Sequence, residues 1–452
     1  MNLLPIGKFF RKGHERTVNV KFNILFAFAF KGLSALINLL LVPLTLNYLN
    51  PTKYGIWVTI SSVVVMLSFF DIGLGNGLRN KFAEAKAKGL NELCKEYIST
   101  TYFTLIGISV FLFIIFNIIF PFVDWSFIFN TESNLRDELG KVIYILISFY
   151  CSQFVLSLIG TIATADQKPF YNNLFNLLYT LLTFIAIYIN TKFSNESLYL
   201  LSLSTGGIPT LVLLISSLIL FNTTYKNYAP SLKHVKLIHI KEIASLGFGF
   251  FMIQLSTVII FSTGNIIISL TISPAEVTPY SIAYKYFGMV TMAYHIIIIP
   301  FWSSFTDAWH RSDFNWIKNI MRHLNKLSIA VMVILFVMVL VAPTVYYYWV
   351  GDQVIIPFKL NILIAIYVLL YTSIFPFNYF INGVSKIRLH LYLSLAAAVI
   401  NIPLTIFLVT KLNLHLYGII LGPIICLIPY AILMPLQYNK IINRTATGIW
   451  NK

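Results

Sequence analysis

Twelve stretches of predominantly apolar residues run almost the whole length of this 452-residue chain, each near the roughly 20 residues that a helix needs to cross a bilayer. They cover approximately residues 22–48, 55–78, 98–122, 142–165, 170–190, 198–221, 243–272, 279–304, 327–349, 358–382, 389–410 and 415–436. In hydrocarbon every backbone N–H and C=O must be bonded within the protein, which leaves only helices and closed barrels, and runs of this length are helical. The expected fold class is therefore all-α integral membrane, with about twelve transmembrane helices. Composition agrees: 58% of residues are hydrophobic and 11% charged, against about 25% charged in a soluble domain.

The net charge of +16 raises nucleic acid as a partner, but the basic residues are scattered between apolar spans and form no single patch. No nucleic-acid partner is expected. If the arm carrying Lys8, Arg11, Lys12, Arg16 and Lys21 is cytoplasmic, the termini and alternate connections on its side hold twenty-four Lys and Arg, and the opposite side holds six. Those six are Lys53, Arg136, Lys141, Lys192, Lys359 and Lys411, while Lys31 and Lys285 fall inside spans. A bias of this size over short loops is a positive-inside signal that one missed span would abolish. Both termini are thus expected in the cytoplasm, with anionic lipid as the partner of the positive face. The arm lacks a short apolar core and a small-residue cleavage site, so it reads as retained. Cys94, Cys151 and Cys426 have neither disulfide-framework nor metal-ligand spacing.

The chain also resembles itself at half its length. Asn50-Pro51-Thr52-Lys53-Tyr54-Gly55-Ile56-Trp57 lies 223 residues before Ser273-Pro274-Ala275-Glu276-Val277-Thr278-Pro279-Tyr280, and Ala83-Glu84-Ala85 stands at the same offset from Thr306-Asp307-Ala308. The third spans end at Pro121 and Pro343, and Lys168 and Lys386 follow the fourth. Six helices per half make this a parallel repeat about an axis along the membrane normal. The expected organisation is a basic arm 1–21, an N-lobe 22–221 of helices 1–6, a cytoplasmic link 222–242, a C-lobe 243–436 of helices 7–12, and a cytoplasmic tail 437–452. A central cavity is expected between the lobes.

Around the second span, Tyr54-Gly55-Ile56-Trp57 is followed by Ser61, Ser62 and Asp71-Ile72-Gly73-Leu74-Gly75-Asn76-Gly77-Leu78-Arg79-Asn80. This resembles the "YG-x-W … D-x-GL-x-x-x-x-R" signature of the Wzx-type O-antigen flippases, within the multidrug/oligosaccharidyl-lipid/polysaccharide exporter superfamily. Length, span number, half-chain repeat and cytoplasmic ends extend the resemblance over essentially the whole chain. It implies a polyprenyl-diphosphate-linked oligosaccharide as substrate, turned from the cytoplasmic to the periplasmic leaflet of a bacterial inner membrane. A polysaccharide polymerase and a chain-length regulator are the partners that follow from it.

Ionisable groups inside spans are costly and usually face a cavity or a partner. Lys31 and Asp71 lie about 13 Å and about 10 Å from the inner ends of the first two spans. The pair reads in two ways: Lys31 attracts the diphosphate and Asp71 either holds it in a pair or releases it when protonated, or the two form a structural ion pair that fixes helix packing. Lys285 is read as cavity-lining, because Tyr280, Tyr284 and Tyr286 surround it in sequence and hydroxylated rings suit sugar faces. Snorkelling to the interface is the alternative. His295 is read as a hydrogen-bonded core histidine, with proton coupling as the functional alternative. Gln254 matches Lys31 at the 223-residue offset. Arg79, Lys81 and Arg311 mark a possible cationic vestibule, although positive-inside topology by itself also places charges there.

No glycine-rich loop followed by Lys, no metal-spaced His pair and no nucleophile elbow occurs. No enzyme activity, metal or organic cofactor is expected, and energy would come from a proton or sodium gradient or from downstream consumption of the product. The rival readings are a cation-coupled multidrug exporter, a membrane polysaccharide polymerase or ligase, and an assembly scaffold.

Overall fold

The structure, a computed structural model, describes residues 15–67, 73–166, 168–298 and 301–451. Within those bounds a few side chains are also outside the description, Gln254 among them. The long elements are α1 (Glu15–Tyr48), α2 (Pro51–Leu67), α3 (Leu74–Ala87), α4 (Asn91–Ile119), α5 (Arg136–Leu156), α6 (Leu158–Ala165), α7 (Pro169–Phe193) and α8 (Leu198–Ser202). A π-helical turn, Leu203–Gly207, joins α8 to α9 (Ile208–Asn222). There follow α10 (Ile238–Thr271), α11 (Pro274–Ile298), α12 (Phe301–His310), α13 (Phe314–Val350), α14 (Phe358–Gly383), α15 (Arg388–Thr410) and α16 (His415–Ile442).

The described residues of all twelve apolar stretches lie mainly on helix. Among the described residues nine helical segments are long and apolar enough to span: Ala29–Tyr48, Asn91–Phe122, Arg136–Ala165, Phe170–Phe193, Leu198–Asn222, Phe314–Gln353, Phe358–Gly383, Arg388–Thr410 and His415–Ile442. The second, seventh and eighth expected spans each include positions outside the description. Several helix ends lie well beyond the apolar stretches. The ninth begins at Phe314, not near 327, where Asp313 caps it by accepting from the Trp316 N–H at 3.0 Å. Hydropathy marks only the length that lipid surrounds, and a 37-residue helix is about 56 Å long against about 30 Å of hydrocarbon.

The half-chain repeat recurs in the helix bounds. α1 and α10 are each 34 residues long and begin 223 positions apart. The same offset separates the starts of α2 and α11, at Pro51 and Pro274, and of α4 and α13, at Asn91 and Phe314. Proline at the first helical position needs no amide partner there, so each Pro fixes a helix start. Burial follows the repeat as well: Phe82 and Phe305 are both wholly buried, as are the corresponding Ala85 and Ala308.

By packing, the chain falls into two units, one of residues 1–44, 71–123 and 140–248, the other of 45–70, 124–139 and 249–452. In the first, a core of Leu78, Phe82, Ile98, Leu105, Ile159 and Ile162 joins α3, α4 and α6. The α3–α4 turn reverses through Gly89 at φ 72°, where Leu90 N–H reaches the Ala85 carbonyl. Beside this core, the buried Asp166 carboxylate is bonded by Lys86, by Lys168 at 2.8 Å and by the Tyr225 hydroxyl at 3.2 Å.

The second unit contains a crossing that the repeat explains. The Thr278 hydroxyl donates to the Pro51 carbonyl at 2.5 Å, and a Cβ on Gly55 would stand 1.9 Å from the Pro274 carbonyl oxygen. Pro51 corresponds to Pro274 and Gly55 to Thr278, so the repeat operator exchanges the two contacts, as in an isologous interface. Deeper in this unit α15 and α16 pack closely, with a Cβ on Gly422 falling 2.1 Å from Thr405 Oγ1. The Tyr430 hydroxyl also donates to Ser394 there at 2.9 Å. All three cysteines are free thiols.

Two outcomes are expected. Gly55→Ala must push α2 from α11 and should cost on the order of 1–3 kcal/mol in thermal unfolding of the detergent-solubilised protein. Gly107→Ala, whose Cβ meets nothing within 4 Å, should be neutral or slightly stabilising. For Asp166, burial raises the carboxyl, but hydrogen bonds and charge from Lys168 and Lys86 outweigh it and hold its pKa below the ordinary value. Its contribution is therefore present above the unfolded value of about 3.9 and lost as pH falls through the folded one. Asp166→Asn should lower the melting temperature at neutral pH, and its gap from the parent should close below about pH 4.

Candidate functional site

The most chemically loaded strip within the spans lies in the second unit, on α2, α10, α11 and α14. Lys285 is an exposed cation on α11 whose Nζ donates to the Tyr54 hydroxyl at 2.9 Å and stands 5.5 Å from the centre of that ring. The geometry follows from the crossing. α2 and α11 both start at their prolines, and helical side chains lean toward their own N-termini. Lys285, seven residues past Thr278, therefore reaches back to Tyr54, three residues past Pro51. Tyr54 is wholly buried, so the ammonium meets a neutral hydroxyl and a π face. Among the described residues no carboxylate lies within ion-pair distance of it.

One turn along, rings accumulate. Tyr280 and Tyr284 stack at 5.9 Å and 25°, Tyr284 meets Tyr367 at 6.1 Å, and Tyr367 stacks on Tyr371 at 6.1 Å and 5°. Tyr371 abuts Phe375 at 4.4 Å, and Phe375 carries His295 edge-on at 4.3 Å. Tyr379 closes the row against Trp302 at 5.7 Å. Tyr367, Tyr371, Phe375 and Tyr379 recur every four residues on α14, making one ridge about 18 Å long. Tyr284, Tyr371 and Tyr379 keep part of their surface open. On the other side of the crossing Asn265 Nδ2 donates to Ser62 Oγ at 2.9 Å, while its buried Oδ1 has no partner among the described residues. Ser62 is the repeat mate of Lys285, so this position is polar in both halves but charged in one.

The remaining sequence candidates are distributed as follows. Lys31 lies on α1, half-buried, in the first unit, next to Phe30, whose ring is 5.4 Å from that of Phe170. Gln254 stands at the matching position of α10, with its side chain outside the described residues. Asp71 is also outside them. Arg79 on α3 is exposed, whereas Lys81 lies 3.9 Å from Glu242 and is partly neutralised by it. Arg311 is exposed in the turn after α12. His295 packs on Phe375 and, at 6.5 Å, on Tyr379.

Tyr54 as the lysine's partner, Asn265 and the α14 ridge were not singled out from the sequence. The ridge had a legible signal, four aromatic residues at a strict four-residue spacing, whereas the Tyr54 partnership needed the crossing.

These helices define the fold of a multi-pass membrane transporter. A MATE family multidrug resistance transporter of the MOP superfamily, solved in an inward-facing conformation, aligns with 93% of this chain and 98% of its own at TM-score 0.75 and 14% identity. An outward-facing structure of such a transporter aligns with 95% and 96% of the two chains at TM-score 0.64 and 13% identity. A MOP superfamily transporter from Pyrococcus furiosus aligns over 95% and 96% at TM-score 0.66 and 14% identity.

Sequence narrows the class further: the chain belongs to the polysaccharide biosynthesis protein family, whose model matches residues 20–305. A Salmonella typhimurium protein named "Putative O-antigen transporter" is 26% identical over 319 residues, 68% of each chain. A Yersinia pseudotuberculosis protein named for O-antigen export is 22% identical over 59% of this chain and 60% of its own length.

If Lys285 is held by a neutral partner, Lys285→Met should cost only about 1–3 kcal/mol, the cost of an unmade hydrogen bond at Tyr54. Breaking a buried ion pair would cost about 3–5 kcal/mol. Adding Tyr54→Phe should recover part of the loss, read from melting temperatures in detergent.

Proposed function

We propose that this protein is a flippase that carries a polyprenyl-diphosphate-linked oligosaccharide, an O-antigen or related surface-polysaccharide repeat unit, across the bacterial inner membrane by alternating access. Family membership and the O-antigen transporter relatives support a surface-polysaccharide substrate. The observation that carries the chemistry is Lys285, a basic residue inside an expected span that bonds the Tyr54 hydroxyl and, among the described residues, meets no carboxylate. Beside it, the open edges of Tyr284, Tyr371 and Tyr379 offer flat apolar faces with hydroxyl rims, suited to pyranose rings. In this reading the diphosphate is drawn to Lys285, and the sugars slide against the tyrosine ridge. Arg79 and Arg311 gather the anionic lipid before it enters, and a polymerase with its chain-length regulator consumes the product.

Coupling to a proton or sodium gradient is assigned to Asp71, while His295, lodged between aromatic rings, is assigned to packing. The likeness in fold to a multidrug transporter favours drug export as a second reading. Lys285 weighs against it wherever the drug is cationic.

The test is deletion of the gene in its source bacterium, followed by complementation. Surface polymer should vanish, and finished repeat units should accumulate on the cytoplasmic face of inner-membrane vesicles. The intact gene and Lys285→Arg should restore export, and Lys285→Met, at normal folded yield, should lower it at least tenfold. Export that survives deletion without a redundant flippase would sink the proposal, and full rescue by Lys285→Met would remove the lysine from it.

A further inference from the structure

The connection between α9 and α10 is organised in a way that its role as a link does not require. Its underside is pinned to α4 throughout. The Ser231 amide donates to Ser99 Oγ at 3.1 Å, the Lys236 amide to Thr100 Oγ1 at 2.9 Å, and the Tyr228 hydroxyl to Asn91 at 2.8 Å. The acids of this region each have a partner. Glu92 meets His234 at 3.4 Å, Glu96 meets His239 at 3.0 Å, and Glu242 takes the Tyr97 hydroxyl at 3.1 Å and lies 3.9 Å from Lys81.

The other side presents the opposite chemistry. Leu232, Leu237 and Ile238 are 79%, 64% and 74% exposed, and Lys226, Lys233, Lys236 and Lys241 are exposed around them. Three large open aliphatic side chains ringed by four lysines, with Glu92, Glu96 and Glu242 each engaged by a partner, match an anionic bilayer surface in both apolarity and charge.

The position of the strap matches too. The α4 span runs from Asn91 to Phe122, 32 residues, or about 48 Å against about 30 Å of hydrocarbon. The apolar part, from Phe103 onward, fills that thickness, leaving Asn91–Tyr102 outside it. Ser99 and Thr100, where the strap is bonded, therefore stand at headgroup depth.

We infer that residues 223–242 form an interfacial strap. Leu232, Leu237 and Ile238 insert into the leaflet on their side of the membrane, and Lys226, Lys233, Lys236 and Lys241 bind anionic phospholipid headgroups there. The strap holds the inner end of α4 at a fixed depth and concentrates anionic lipid around the junction of the two half-chain repeats.

The experiment uses the full chain in vesicles of phosphatidylcholine with a minor fraction of phosphatidylglycerol. A nitroxide is placed at Leu237→Cys after the three native cysteines are replaced. Ile106→Cys on the exposed side of α4 and Lys88→Cys in an exposed turn serve as references. The label at 237 should collide with oxygen in preference to a water-soluble nickel complex, as at 106 and unlike at 88. Separately, the fourfold variant Lys226→Gln/Lys233→Gln/Lys236→Gln/Lys241→Gln should reduce enrichment of phosphatidylglycerol over phosphatidylcholine around the purified protein at least about tenfold, given up to about fivefold per lysine. A water-like signal at 237, the result expected of a protein-docking loop, overturns the inference, as does unchanged lipid enrichment in the correctly folded fourfold variant.

Discussion

The close approach of α2 and α11 fixes much of what the second unit can do. A glycine without a side chain lets the Pro274 carbonyl lie where a Cβ would be, and the Thr278 hydroxyl supplies a donor to the equivalent Pro51 carbonyl. In lipid, where unpaired backbone groups cost several kcal/mol each, such contacts hold two parallel helices together at their starts and set the register of everything below. Seven residues further along α11 the register brings Lys285 to Tyr54. The duplicated frame thus carries an unduplicated charge, because Ser62 occupies the position that Lys285 takes in the other half.

Charge is arranged by the same economy. Within the spans the described cations are few, and Lys285 is held by a ring and a hydroxyl, so its field is not cancelled. Outside the spans charges are paired off: Asp166 with Lys86 and Lys168, Glu96 with His239, Glu92 with His234. The lysines of the α9–α10 connection stand exposed beside these pairs. Lys285 meets a tyrosine and, among the described residues, no carboxylate. The tyrosines beside it contribute area and hydroxyl rims without adding charge.

The helical fold, its span count and the half-chain repeat were legible in the sequence because hydropathy, charge asymmetry and proline spacing are one-dimensional signals. The offset of 223 read from Pro51 and Pro274 returns in the bounds of α1 and α10 residue for residue. Helix ends were less legible, since α4 and α13 continue as polar helix beyond the lipid. The aromatic cluster at the end of α13 divides: Tyr347 and Tyr348 are exposed as an interfacial belt requires, but Tyr346 is buried and donates to Asn361 at 2.8 Å. Only the rotation of the helix distinguishes these three neighbours.

The sequence by itself determined that this chain lives in a membrane, that it is helical and duplicated, and that Lys285 is a costly charge in need of a reason. Composition and periodicity are sufficient for those conclusions because the bilayer imposes the same demand on every span. Only the tertiary structure showed that, among the described residues, the partner of Lys285 is a tyrosine. Tyr54 lies 231 residues away in the chain, and the tyrosines of α11 meet those of α14 through helix packing. Pairings of that kind depend on which faces of distant helices are pressed together, which no local pattern encodes.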